Sequence, residues 1–272
     1  MNIVLRNFFS ILRSGAFNDE VEIEPMSAHK WRRLYQMVEA QHLKHIFAHG
    51  AHNHREDKCT NLPNDILENV NDIQKQEDIQ EIAITEKEVR FSSRILNHRL
   101  KNVINKELHN IDTSIESIDL LEIIVFNITS MLNNGISLNG IIKLGKYLRT
   151  RGDKVDFLKI EDWIEQLHIT KMAQLQGSIL ISMLGFDKEE LPFIKNIDKN
   201  AYNLTVRSIS YLAEDTAKDW ESQHKENGFM RSNSYRLRKN LKRSIRYYNY
   251  APMETTSTFF TNLGRSLSEI EE

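Results

Sequence analysis

The sequence predicts an all-α protein, an irregular multi-helix bundle of about nine to ten helices with no substantial sheet. Three observations carry this. Only 10 glycines and 4 prolines occur in 272 residues, well under the usual shares of about 7% and 5%, so the chain has few turns. No segment longer than a few residues shows the strict alternation of a half-buried strand. Ile160, Trp163, Ile164 and Leu167 recur at helical spacing, with Asp156 ahead of them as a cap and Glu161, Asp162 and Glu165 on the solvated face.

In chain order, a first amphipathic helix covers roughly 2–14. Arg6 and Arg13 interrupt its apolar residues, which a secretory signal would keep unbroken. A second runs from about 27 to 50 with Trp31, Leu34, Met37, Val38 and Leu43 on its inner side, followed by a polar loop over 51–61. Pro63 suits the first turn of a third helix, and 64–109 reads as one long helix or two joined near 80–85. Next come helices near 117–133, 137–150, 157–168 and 170–185, with Thr170 as a cap and Gly185 as a stop. The 117–133 segment is the most apolar, but it is too short to span a bilayer and carries Asp119, Glu122 and Asn127, so it predicts a buried core helix. A helix over 198–220, a polar connection over 219–228, two helices over 232–250 and 252–268, and the acidic Glu269, Glu271 and Glu272 complete the chain. We divide it into an N-terminal helical region (1–112), a central helical region (113–225) and a basic C-terminal helical hairpin (226–272), together one compact unit.

At 40% hydrophobic and 27% charged, with net charge -2, the composition is that of an ordinary soluble domain. The single Cys59 excludes an intrachain disulfide framework and fits a reducing cytoplasm, with no stable membrane insertion expected.

Several helix motifs carry a family resemblance. They are Gly135-Ile136-Ser137-Leu138, Asp162-Trp163 with Leu167-His168-Ile169, Leu184-Gly185-Phe186, and Glu189-Glu190-Leu191-Pro192-Phe193. Near the ends, Asn7 to Gly15 (NFFSILRSG) and Lys242 to Leu267 (KRSIRYYNYAPMETTSTFFTNLGRSL) add two more. Together these resemble the bacterial uncharacterised nucleotidyltransferase family, whose members accompany polysaccharide and peptide-modification genes. The resemblance implies a core sheet bearing a Gly-Ser or Gly-Gly turn for the triphosphate and an acid-x-acid strand for magnesium. Here only His109 to Ser117 separates the helix ending near Leu108 from the one starting near Ile118, so the sheet has no room. Gly177-Ser178 and Asp187-Lys188-Glu189 mimic both spacings. Ser178, however, sits in an apolar run of helical period, and Lys188 replaces the apolar residue that a buried metal-bearing strand requires.

Two clusters remain. His42, His45 and His49 lie three and four residues apart, which on one helix places three imidazoles on a face able to hold zinc. Solvated or core histidines are the competing reading. The second is the stretch 227–253, which has no acidic residue but contains Arg231, Arg236, Arg238, Lys239, Lys242, Arg243 and Arg246, with Tyr247 among its tyrosines. A chain of net -2 with seven positive charges in this stretch carries -9 elsewhere. Arg236, Arg238, Lys239, Lys242, Arg243, Arg246 and Tyr247 are the candidate partner or nucleic-acid surface, through phosphate neutralisation and stacking. An anionic membrane surface is a further target. Alternatively, Leu237, Leu241, Ile245 and Tyr248 form a buried stripe, and the arginines neutralise acidic helices of the same protein.

The expectation is therefore a non-catalytic, degenerate nucleotidyltransferase-like scaffold with no cofactor, acting by binding a protein partner. Nucleic-acid or nucleotide binding through the basic helix is the alternative. Apolar faces once covered by the sheet would serve a partner or a second copy of the chain.

Overall fold

Short polar side chains cap the starts of five helices. The computed structural model describes residues 2–57, 59–77, 89–210 and 232–268, the side chains of 74–77, 232–239 and 265–268 excepted. Helix α1 (Ile3–Phe17) starts where the Asn2 side chain accepts the Val4 N–H. Helices α2 (Ala28–Ala40), α3 (Lys44–Asn53) and α4 (Asn64–Glu77) follow. In α5 (Arg94–Leu108), α6 (Ile115–Asn134) and α7 (Leu138–Arg151) the caps are Ser93, Ser114 and Ser137, each accepting an N–H three residues on. Asp156 opens α8 (Phe157–Gln166) by accepting the Leu158 and Lys159 N–H groups, as the sequence predicts. Thr170 does not cap the next helix. It is the first residue of α9 (Thr170–Leu184), and its hydroxyl donates to the Ile164 carbonyl. Helix α9 stops at Gly185, φ 72°, as expected. A helix over 201–210 (α10), α11 (Ser232–Tyr247) and α12 (Pro252–Ser268) complete the set.

The described residues contain no strand, and twelve helices rather than nine or ten. One extra helix comes from a break in the segment expected over 27–50. His42 takes the left-handed conformation (φ 55°), the Leu43 N–H returns to the Val38 carbonyl at 3.0 Å, and the His42 N–H returns to Glu39 at 3.0 Å. These paired bonds terminate a helix whose next residue is left-handed. A side chain costs about 1 kcal/mol there. Burial offsets it, because the turn swings Leu43 and Phe47 into the core at 1% exposure each. The stretch 64–109 divides into α4 and α5. The junction expected near 80–85 falls outside the described residues, as do 211–220, the 219–228 connection, and Glu269, Glu271 and Glu272.

Helix α6 carries the longest apolar face and packs at the centre of the core. Leu120, Leu121, Ile124, Val125 and Ile128 are fully buried, while Ile115, Asp119 and Phe126 mark the side that faces solvent. It packs against α7, α8, α9, α11 and α12, while α1 packs against α2, α3, α7 and α9. All three sequence regions therefore contribute to one continuous apolar core. One polar knot crosses it: Asn127 Nδ2 donates to the Gly140 carbonyl and to Gln176 Oε1, both at 3.0 Å, and Gln176 Nε2 donates to the Ile124 carbonyl at 3.1 Å. Every polar atom of the knot that is named here has a partner, which is the condition for tolerating it inside.

Candidate functional site

Helix α11 turns a different face inward from the one its apolar residues predict. Leu241, Ile245 and Tyr248 are 47%, 68% and 54% exposed. The side chain of Leu237 lies outside the described residues. Arg243 and Tyr247, one turn apart, fill the inward positions instead at 8% and 0% exposure. At about 100° per residue, exchanging 241 and 245 for 243 and 247 rotates the helix by half a turn.

The Arg243 guanidinium donates to the Asn133 carbonyl at the C-terminus of α6, where unpaired carbonyls and the helix dipole favour a cation. Asn262 of α12 donates to the Asn133 side chain at 3.1 Å. Burial pushes the Tyr247 phenol up to about 12, so it stays neutral. Of the candidate basic surface, Arg243 is thus consumed in attaching α11 to α6, and Tyr247 is buried with its ring against Tyr250. Lys242 is exposed and Arg246 half-buried, while the side chains of Arg236, Arg238 and Lys239 fall outside the described residues. Arg243→Ala is expected to lower the unfolding free energy by about 2 kcal/mol. Lys242→Ala should leave the urea midpoint unchanged, and a shared urea titration checks both.

The histidines do not assemble as a metal centre. His42 occupies the left-handed break after α2, so it does not share a helix with His45 and His49. His49 Nδ1 is 3.1 Å from the Gly15 carbonyl of α1, an interhelical contact. Among the described residues, no group of three or more His, Cys, Asp or Glu side chains is placed to hold a metal ion.

The glycine-serine mimic is internal packing. Ser178 is fully buried, donates to the Gln174 carbonyl at 2.6 Å and accepts the Asp198 N–H at 2.8 Å. A Cβ at Gly177 would lie 2.4 Å from Ile194. Asp187 belongs to a capping box with Glu190. Side chains from the end of α1, from α7 and from the turn after α9 meet at one corner. Arg149 lies over the rings of Phe17 and Phe186 at 4.9 and 4.1 Å and pairs with Asp19 at 2.8 Å and Glu190 at 2.9 Å. These contacts, two of them from the motif residues Phe186 and Glu190, hold α1, α7 and α9 together.

A polar cleft of about 630 Å³ opens between α5 and α8, within the usual size range of small-molecule sites. Helix α5 lines it with Arg99, Asn102, Val103 and Lys106, spaced i, i+3, i+4 and i+7. Helix α8 answers with Lys159, Asp162, Trp163 and Gln166 in the same spacing. Two struts bridge its walls: Lys159 to Glu107 at 2.8 Å, and Arg99 to the Gln166 carbonyl at 3.3 Å. Burial raises the pKa of Glu107, but the Lys159 ammonium and the Ser114 N–H outweigh it and hold the carboxyl below its ordinary value. His168 stands at the cleft with φ 54°.

The cleft draws on two stretches, Arg99 to Asn110 and Lys159 to His168, and of its lining only Asp162, Trp163 and His168 stood out beforehand. Among the described residues, no helix is long and apolar enough to cross a membrane. No family model matches this chain, and neither a curated protein nor a solved structure is significantly similar to it.

Proposed function

We propose that the protein is a cytoplasmic, non-catalytic helical scaffold that docks an acidic amphipathic segment of a protein partner on α11. The observation that carries this is the exposed stripe Leu241, Ile245 and Tyr248, at i, i+4 and i+7 on one helix. Such a stripe is the standard geometry for receiving another helix. The helix itself contains no acidic residue, and exposed Lys242 borders the stripe, so an acidic rim on the partner complements it. The motif resemblance to nucleotidyltransferase-like proteins is kept as part of this reading. The lack of room between α5 and α6 for a catalytic sheet supports the non-catalytic part.

A photo-crosslinking residue at position 245, expressed in the source cell, tests the surface, with position 158 as a control because Leu158 is 80% exposed. A discrete product from 245 but not from 158 is expected, and Leu241→Glu should abolish it. The nucleic-acid alternative makes a different forecast. Labelled oligonucleotides would bind with an affinity that falls with salt and with Lys242→Ala. That result, without a protein crosslink, would replace the scaffold reading.

A further inference from the structure

Two helices address a single residue of α6. The Arg243 guanidinium of α11 donates to the Asn133 carbonyl, and Asn262 of α12 donates to the Asn133 side chain at 3.1 Å. The two helices also pack on each other and on α6, so they form one layer over it. The outward side of that layer follows from residue spacing. At about 100° per residue, two residues along a helix make roughly half a turn. Leu241 and Ile245 stand two residues either side of Arg243, and Phe260 stands two residues from both Asn262 and Thr258, which is 3% exposed. Phe260 is accordingly 63% exposed, and it turns outward on the same side of the layer as the α11 stripe.

The two edges of this face differ in charge. On α11, Lys242 is exposed on one flank of the stripe, while Asn240 and Ser244 on the other flank are half-buried, which places α12 along the Asn240 and Ser244 side. Lys242 therefore edges the face away from α12. On α12, Thr256 and Gly264, one turn either side of Phe260, are exposed, and nothing lies within 4 Å of a Cβ at Gly264. The ring stands as a knob between two small, uncharged residues. Helix α11 has no carboxylate, and the one acidic residue of α12, Glu254, is fully buried. A second copy of the chain would set cations against cations here, so the face suits a different molecule.

We propose that the partner segment is a helix laid along the seam between α11 and α12, its apolar row on Leu241, Ile245 and Phe260 and its acidic residues confined to the flank over Lys242. This rests on the scaffold reading and adds to it the second helix and the one-sided charge. A docked helix presents its anchors at i, i+3, i+4 and i+7. Carboxylates on its other flank would be desolvated against Thr256, Phe260 and Gly264, with no cation in that row to pair with them.

Fluorescence anisotropy of labelled peptides against the full chain tests it. Two peptides of about 18 residues, five turns, share one composition and one leucine row; the first gathers its glutamates on a single flank, and the second divides them between both. The gathered peptide is expected to bind about fivefold more tightly. Phe260→Ala should weaken it about tenfold, the scale of an aromatic anchor, and Lys242→Ala about threefold. Leu158→Ala, an exposed apolar truncation elsewhere, should change nothing. Phe260 is exposed, so its variant keeps the fold, which a thermal melt checks. Binding that Ile245→Ser abolishes but Phe260→Ala leaves unchanged keeps docking on α11 and overturns the seam. Equal affinities for the two peptides, or no binding of either up to about 1 mM, overturn it as well, and the crosslink at position 245 then decides the α11 reading alone. A dimer in sedimentation that Phe260→Glu dissolves overturns it too, by giving the seam to a second copy.

Discussion

Glu254→Ala is expected to lower the unfolding free energy by about 3 kcal/mol, because one carboxylate of α12 caps the start of α5. Glu254 is fully buried and accepts the Ser92 N–H at 2.5 Å and the Ser93 N–H at 3.0 Å, with the Thr258 hydroxyl at 3.4 Å. These N–H groups lie at a helix start, where no intrahelical acceptor exists. Alanine strands both donors and leaves a void. Glu254→Gln keeps one acceptor and the shape, so about half of that loss is expected.

The pH dependence has a definite sign. Burial raises the Glu254 pKa above its ordinary 4.5, overcoming the N–H groups that favour the carboxylate. A raised folded-state pKa means that the native chain binds more protons than the unfolded one in that interval. The contribution of Glu254 relative to Glu254→Gln is then largest below pH 4.5 and declines as pH rises through the folded-state value. Urea titrations of both proteins across that range measure the difference. A gap that widens with pH would show that the hydrogen bonds, not burial, dominate the carboxyl.

Gly15→Ala should cost a further 2–3 kcal/mol or so, through overpacking at the α1–α3 crossing. A Cβ at Gly15 would sit 1.9 Å from the Ile46 carbonyl and 2.7 Å from the Gly50 nitrogen. One at Gly50 would sit 2.2 Å from the Ile11 carbonyl. The obstacles are backbone atoms, so the two helices must separate, and the His49 contact to the Gly15 carbonyl and the Asn53 bonds to Ser14 stretch with them. The same substitution at Gly264 supplies the contrast. That glycine is exposed within α12, with nothing within 4 Å of a new Cβ. Gly264→Ala should stabilise by roughly 0.5–1 kcal/mol, the helix propensity difference. Thermal melts of the two variants should move in opposite directions.

Much of the all-helical class was legible in the residues themselves. Asp156 capping α8, Gly185 closing α9 and the inward row Trp31, Leu34 and Val38 of α2 behave as their types and spacing predict. Each depends on atoms within a turn or two of chain. His42 went unread because a histidine carries no stop signal of its own. The left-handed break is tolerated only once Leu43 and Phe47 find the core.

The sequence by itself determined the helical class, the cap of α8 and the stop of α9, and that the apolar segment near 117–133 is too short to cross a membrane. Tertiary structure alone decided which face α11 presents. Leu241, Ile245 and Tyr248 share a stripe by spacing, yet α6 offers a carbonyl terminus at that contact, and Arg243 satisfies it as an aliphatic row cannot, with Tyr247 buried beside it. Likewise Glu254 meets Ser92 and Ser93 across more than 160 residues, and Glu107 meets Lys159 only because α8 returns near the end of α5. Local periodicity records a helix's own preference. A partner's unpaired donors, acceptors and surface depend on where the chain returns, which no window of sequence contains.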